Sequence, residues 1–131
     1  MVILDTDLLV GVLRGDDAAT QCLITLQKKH KNICVSTVTI FELLRGIQRS
    51  TNRDANRAKY LEIMGSIYAI EFTYFEADIA GKIDAFHMKA GTPIGLLDTM
   101  IAATCITTKM PLVTRNVKHY AKIPGLQVET W

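Results

Sequence analysis

Short β-branched runs alternate along this chain with longer stretches of helical period, and nothing else in the sequence restricts the fold as strongly. The runs VIL (2–4), ICVS (33–36), YAIEF (68–72), LVT (112–114) and LQVET (126–130) read as strands. Between them the apolar spacing predicts helices at about 7–13, 17–30, 37–49, 53–66, 76–90 and 96–108. Strands separated by helices of this length imply βαβ units. The expected fold class is therefore α/β, with a central, mostly parallel sheet of about five strands covered on both faces. Two segments punctuate the pattern. STNRD (50–54) offers Thr51 or Asn52 as a helix cap, and GTPIG (91–95) offers Gly91 as a helix terminator. No repeat or linker divides the chain, so residues 1–131 are expected to form a single domain.

Composition narrows the setting. Hydrophobic residues make up 49% of the chain, which suits a packed globule and not a disordered segment. No apolar run approaches the ~18 residues of a membrane span. The N-terminus lacks a basic segment followed by a long apolar stretch, so a cytoplasmic location without membrane association is expected. A formal charge of +2 does not by itself announce a nucleic-acid partner. Cys22, Cys34 and Cys105 are odd in number and far apart, which fits neither a disulfide framework nor a zinc site.

In parallel α/β folds ligands gather beyond the carboxyl ends of the strands, so polar residues there carry the most information. Asp5 follows the first predicted strand directly. Glu42 lies inside the helical run after the second strand, among Ile40, Phe41, Leu43 and Leu44. Asp98 lies early in another run, among Leu96, Leu97, Met100 and Ile101, and Asn116 sits just past the fourth strand. Each has an ordinary reading. Asp5 or Asp7 can cap a helix, Glu42 can face solvent, Asp98 can favour a helix N-terminus, and Asn116 can make a turn. Those readings leave unexplained why two acids sit within apolar helical runs while others follow a strand. Convergent carboxylates raise each other's pKa unless a cation joins them. Mg²⁺ binds through one or two carboxylates together with water and substrate phosphates, so the set points to metal-assisted chemistry on a phosphate.

Four stretches, VILDTDLLV, STVTIFELLRG, PIGLLDTMIAATC and LVTRNVKHYAKIPGL, together resemble the PIN-domain ribonucleases. The resemblance is nearest to the VapC-type toxins of toxin–antitoxin pairs, spans nearly the whole chain, and keeps the motifs in family order. It implies a three-layer α/β/α PIN-like fold and Mg²⁺- or Mn²⁺-dependent cleavage of RNA. It also implies a homodimer and silencing by a cognate VapB-type antitoxin. By this similarity Asp5, Glu42 and Asp98 occupy the metal-binding positions, and Asn116 occupies the fourth, where many members carry Asp. Thr6 and Thr114 match the hydroxyl residues beside the first and fourth motifs. Asn116 carries no charge, so one well-held metal is expected, with any second site weak.

Arg45 and Arg49 lie three and seven residues beyond Glu42, a spacing that places them on its helix face for contact with RNA phosphates. Arg115 and Lys118 bracket Asn116 in the same role. Asp7 is read as a helix-starting residue, and Tyr120 and Trp131 as packing residues. His87 and His119 show no partner at a nucleophile or zinc spacing. The DTD motif also resembles that of haloacid-dehalogenase phosphatases, but the later Lys and acidic pair of that family are missing. A receiver domain would need adjacent carboxylates and a strand-end Lys. The remaining rival is a PIN-like module that binds RNA or a partner without cutting, which the neutral Asn116 would favour.

Overall fold

The computed structural model describes all 131 residues. Five parallel strands form one sheet in the order β3-β2-β1-β4-β5. They are β1 (Val2–Leu4), β2 (Ile33–Ser36), β3 (Tyr68–Ile70), β4 (Leu112–Val113) and β5 (Val128–Glu129). Seven helices connect them: α1 (Thr6–Leu13), α2 (Asp17–Lys29), α3 (Thr37–Gln48), α4 (Arg53–Met64), α5 (Tyr74–Lys89), α6 (Leu96–Thr108) and α7 (Val117–Tyr120). The α/β expectation holds, and the helices stand on both faces of the sheet.

Strand alternation explains the two cores. Val2 and Leu4 point to one face with Ile33 and Val35, where Leu8, Leu9, Leu23, Leu43 and Tyr60 of α1 to α4 cover them. Ile3 and Cys34 point to the other face and meet Ile101, Ala102 and Cys105 of α6 with Tyr120 of α7. β1 is fully buried on both sides, as its unbroken apolar sequence requires. Gly11 lets α1 and α2 approach closely, because a β-carbon there would stand 2.7 Å from that of Ala19. Cys34 and Cys105 are buried and Cys22 half-buried, all as free thiols.

The chain runs from β1 outward through β2 and β3, then returns to the other side of β1 for β4 and β5. The strand order therefore reverses between β1 and β4, which is where a ligand crevice opens in sheets of this kind. Leu4 pairs with Val113, so the residues that follow, Asp5 and Thr114, leave the sheet side by side.

Several boundaries and details refine the sequence expectation. α5 begins at Tyr74 and not at 76, because Thr73 and Glu76 form a capping box. The Glu76 carboxylate also accepts from Thr107 of α6, tying the two helices together. The single-turn α7 went unpredicted, being too short to show a helical period. Asn52 takes the N-cap position of α4, though its side chain makes no capping bond. Of the exposed apolar residues, Ile24 and Leu61 lie on the early and middle helices, while Tyr74, Phe75, Phe86 and Met88 all lie on α5.

Candidate active site

The crevice beyond β1 and β4 is a cleft of about 570 Å³ in which Asp5, Thr6, Asp7, Glu42, Asp98 and Asn116 share one wall system with Arg14, Arg115 and Trp131. Four of the residues singled out from sequence as candidate ligands or catalytic groups thus meet: Asp5, Glu42, Asp98 and Asn116. They arrive from the end of β1, the middle of α3, the first turn of α6 and the loop after β4.

Asp5 is the best anchored. Its Oδ1 accepts from the Thr6 backbone N–H at 2.8 Å and from the Tyr120 hydroxyl at 3.2 Å, while its Oδ2 accepts from Thr114 Oγ1 at 2.7 Å. It is only 5% exposed. Burial pushes its pKa up to about 6, with Asp7 and Asp98 adding to the rise against the lowering effect of Thr114 and Thr6. Asp5 is also the N-cap of α1. The expectation that Asp7 starts this helix is therefore corrected. The helix begins at Thr6, which puts Asp5 at the cap and Asp7 in the first turn. From there Asp7 Oδ2 accepts from the backbone N–H of Arg115 at 3.2 Å, and its Oδ1 is buried without a partner.

Glu42 is steered by Thr6, whose Oγ1 donates to Glu42 Oε1 at 2.7 Å and also approaches Thr39 Oγ1 at 3.2 Å. The carboxyl pKa of Asp98 is likewise raised by burial, opposed by the Tyr120 hydroxyl and by His119. His119 Nδ1 stands 3.3 Å from Asp98 Oδ2 and 2.7 Å from the Asn116 amide nitrogen. That ring nitrogen serves one of them at a time: protonated it donates to Asp98, unprotonated it accepts from Asn116. Thr114 Oγ1 accepts from the Asn116 backbone N–H at 3.0 Å, so Thr114 sets both Asp5 and the Asn116 backbone.

Four members of this site were not legible as such in the sequence. His119 has partners after all, because α7 folds it back over Asn116 and toward Asp98. Tyr120 is fully buried as expected of a packing residue, yet its hydroxyl reaches Asp5. Trp131 lies in the cleft beneath the Arg115 guanidinium, whose Cζ is 3.6 Å from the ring centroid. Arg14 also lines the cleft and had not been singled out. Arg45 and Arg49, expected on Glu42's face, lie outside the cleft lining. Arg45 packs over Phe41 at 5.4 Å, and Arg49 borders the turn at 50–54. Seven residues along a helix is about 10 Å, enough to carry Arg49 past the mouth.

The donor set suits a hard divalent cation. No three His, Cys, Asp or Glu side chains are already gathered into a cage. Mg²⁺ does not need one, since it keeps several waters and takes one or two carboxylates. A buried Asp5 whose pKa is raised to about 6, by burial first and by Asp7 and Asp98 after it, and a buried Asp7 oxygen without a partner, are the conditions a cation relieves.

The chain has clear relatives among known proteins. The PIN domain family model matches residues 2–125. Ribonuclease VapC19 of Mycobacterium tuberculosis (strain ATCC 25618 / H37Rv) is 33% identical over 130 residues, covering 97% of this chain and 98% of the relative. The tRNA(fMet)-specific endonuclease VapC of Salmonella typhimurium is 27% identical over 121 residues, covering 84% and 92%. Among solved structures, VapBC2 from Rickettsia felis bound to a promoter DNA fragment superposes with a TM-score of 0.90 at 27% identity, covering 100% of this chain and 99% of that one. The chain belongs to the PIN-domain family and, within it, to the VapC ribonucleases.

Proposed function

We propose that this protein is a metal-dependent endoribonuclease toxin that cuts RNA phosphodiester bonds at the cleft between β1 and β4. The observation that carries the reading is the meeting of Asp5, Glu42 and Asp98 from three distant elements around one crevice. Asp5 and Asp98 would hold Mg²⁺ or Mn²⁺, with Glu42 completing the acidic set. When bound, the cation supplies Lewis acidity toward the phosphodiester and toward water. The protein's own part is positional. Thr114, Thr6 and Tyr120 fix the Asp5 carboxylate, Thr6 restrains Glu42, and His119 Nδ1 restrains either Asp98 or Asn116, one at a time. Arg115 and Arg14 are the cleft's only Arg or Lys residues and would meet the substrate phosphates.

A tRNA or another structured RNA is the substrate class we assign, supported by the specificity in the name of the Salmonella relative. The solved neighbours from Rickettsia felis and Haemophilus influenzae are VapBC structures, which supports a VapB-type antitoxin as the partner of this chain. A partly apolar groove between α1, α3 and α4 reaches the cleft through Val10, Arg14 and Glu42, and gives a partner segment a route to it. The exposed Tyr74 and Phe75 of α5 support a homodimer. No helix is long and apolar enough to cross a membrane. We place the protein in the cytoplasm, with its RNA.

Sequencing the new 5′ ends formed from total cellular RNA tests the reading. A few discrete positions within one RNA class are expected. An end pattern identical to that of untreated RNA would contradict it and favour the non-cutting module that the neutral Asn116 allows.

A further inference from the structure

The cleft is strongly acidic, being lined by Asp5, Asp7, Asp16, Glu42 and Asp98, and this raises a problem for any polyanion that enters it. Its only Arg or Lys residues are Arg14 and Arg115. An arginine beside so many carboxylates would ordinarily pair with one and lose its donors to it. Arg115 does not. It makes no ion pair and no side-chain hydrogen bond; the only ion pairs of the protein are Lys82–Asp78 and His119–Asp98. Instead its guanidinium lies on the face of Trp131, 3.6 Å from the ring centroid, while its backbone N–H is fixed by Asp7.

A guanidinium stacked on a ring keeps its five N–H donors pointing outward in its own plane, which leaves the fork free for a phosphate. The indole is in turn held by its surfaces. Its Cη2 edge passes so near α1 that a β-carbon on Gly11 would stand 3.8 Å away, and the ring packs against the core on that face of the sheet. Its Nε1 is buried with no hydrogen-bond partner, so no polar bond competes for the orientation of the ring.

We infer that Trp131 is a positioning residue of this site: its indole face holds the Arg115 guanidinium at the cleft mouth, with the N–H fork free to receive an RNA phosphate. The inference rests on the RNA-cleaving reading above and deepens it. Trp131 supplies the aromatic surface that a carboxylate would otherwise replace, and so keeps Arg115 from being quenched by the acids that hold the cation.

Binding of bulk tRNA by the Asp98→Asn protein, which should bind without cutting, reads the clamp directly. In that background Trp131→Ala and Arg115→Ala should each weaken binding about tenfold, in line with a desolvated cation–π contact. The double variant should be no weaker than Arg115→Ala alone, because the two act through each other. Trp131→Phe, which keeps a ring face, should stay within about threefold of the parent. Arg115→Lys keeps the charge but not the planar fork, and should lose most of what Arg115→Ala loses. In the cutting-competent protein these substitutions should raise KM more than they lower kcat. Trp131 is the only tryptophan, so its emission should change when bulk tRNA is added and change less in Arg115→Ala. Parent-like binding by Arg115→Ala, additive losses in the double variant, or unchanged emission would each overturn the clamp. If Trp131→Ala does not fold, the Arg115 variants and Trp131→Phe still decide. A parent protein that neither binds nor cuts any class of total cellular RNA would overturn the nuclease reading itself. A parent that cuts, with Arg115 variants that bind equally well, would overturn the clamp alone.

Discussion

Thr114 donates its hydroxyl to Asp5 Oδ2 at 2.7 Å across 109 residues of sequence, and the contact exists because β4 pairs beside β1. This bond lowers the Asp5 pKa, which burial has otherwise raised to about 6. Thr114→Val keeps the shape and removes the donor, so the Asp5 pKa should rise further. Because a cation needs the ionised carboxylate, the acid limb of the cleavage–pH profile should move to higher pH. The expected loss is about tenfold near pH 6 and smaller at pH 8, from the worth of one hydrogen bond to a charged group. A pH profile coincident with that of the parent would count against the role of Thr114.

The same carboxylate sets a pH dependence of stability in the metal-free protein. Its folded pKa, about 6, lies above the ordinary 3.8, so the folded state holds this proton more tightly than the unfolded chain does. That contribution is complete below about pH 4 and is lost as pH rises through about 6, for a total of roughly 3 kcal/mol. In chelator, Asp5→Asn should therefore flatten the loss and leave the protein more stable than the parent at pH 7, by about 1–3 kcal/mol. Chemical denaturation at pH 4 and pH 7 measures this. Equal pH dependence in parent and variant would contradict it.

Thr6 holds Glu42 at 2.7 Å from the start of α1, so the two should act as one unit. Glu42→Gln should reduce kcat by about 100-fold and Thr6→Val by about tenfold, within the range seen when supporting contacts at metal sites are removed. The double variant should resemble Glu42→Gln alone. Single-turnover rates on one RNA decide, and multiplied losses would mean that Thr6 works on something other than Glu42.

Gly11 carries a purely structural prediction. A β-carbon there meets Ala19 Cβ at 2.7 Å, and both belong to packed helices that must part to admit it. Gly11→Ala should cost about 1–3 kcal/mol of stability despite its better helix propensity. Urea denaturation reads the change, and a stabilised variant would contradict the packing described.

Much of this molecule could be read from the chain because its signals are periodic. Strand and helix periods differ, so VIL, ICVS and LVT separated cleanly from the helices between them, and parallel pairing followed. Asp5, Glu42 and Asp98 stood out because an acid in an apolar run is costly without a purpose. What escaped depends on tertiary geometry. α7 is a single turn, and the meeting of His119 with Asp98 depends on how that turn folds back over the cleft. Trp131 reads as ordinary packing until β5 is seen to deliver it under Arg115. Arg45 and Arg49 show the converse, a correct helix period that says nothing of where the cleft ends along the helix axis.

On the proposed function, the acids of this cleft hold a divalent cation that the protein needs to cut RNA. Incubating the purified, partner-free protein with total RNA in Mg²⁺, in Mn²⁺ and in EDTA, beside Asp98→Ala, tests it most directly. Discrete fragments are expected with either metal, and none in EDTA or with the folded variant. Undiminished cleavage in EDTA, or by Asp98→Ala, would contradict it.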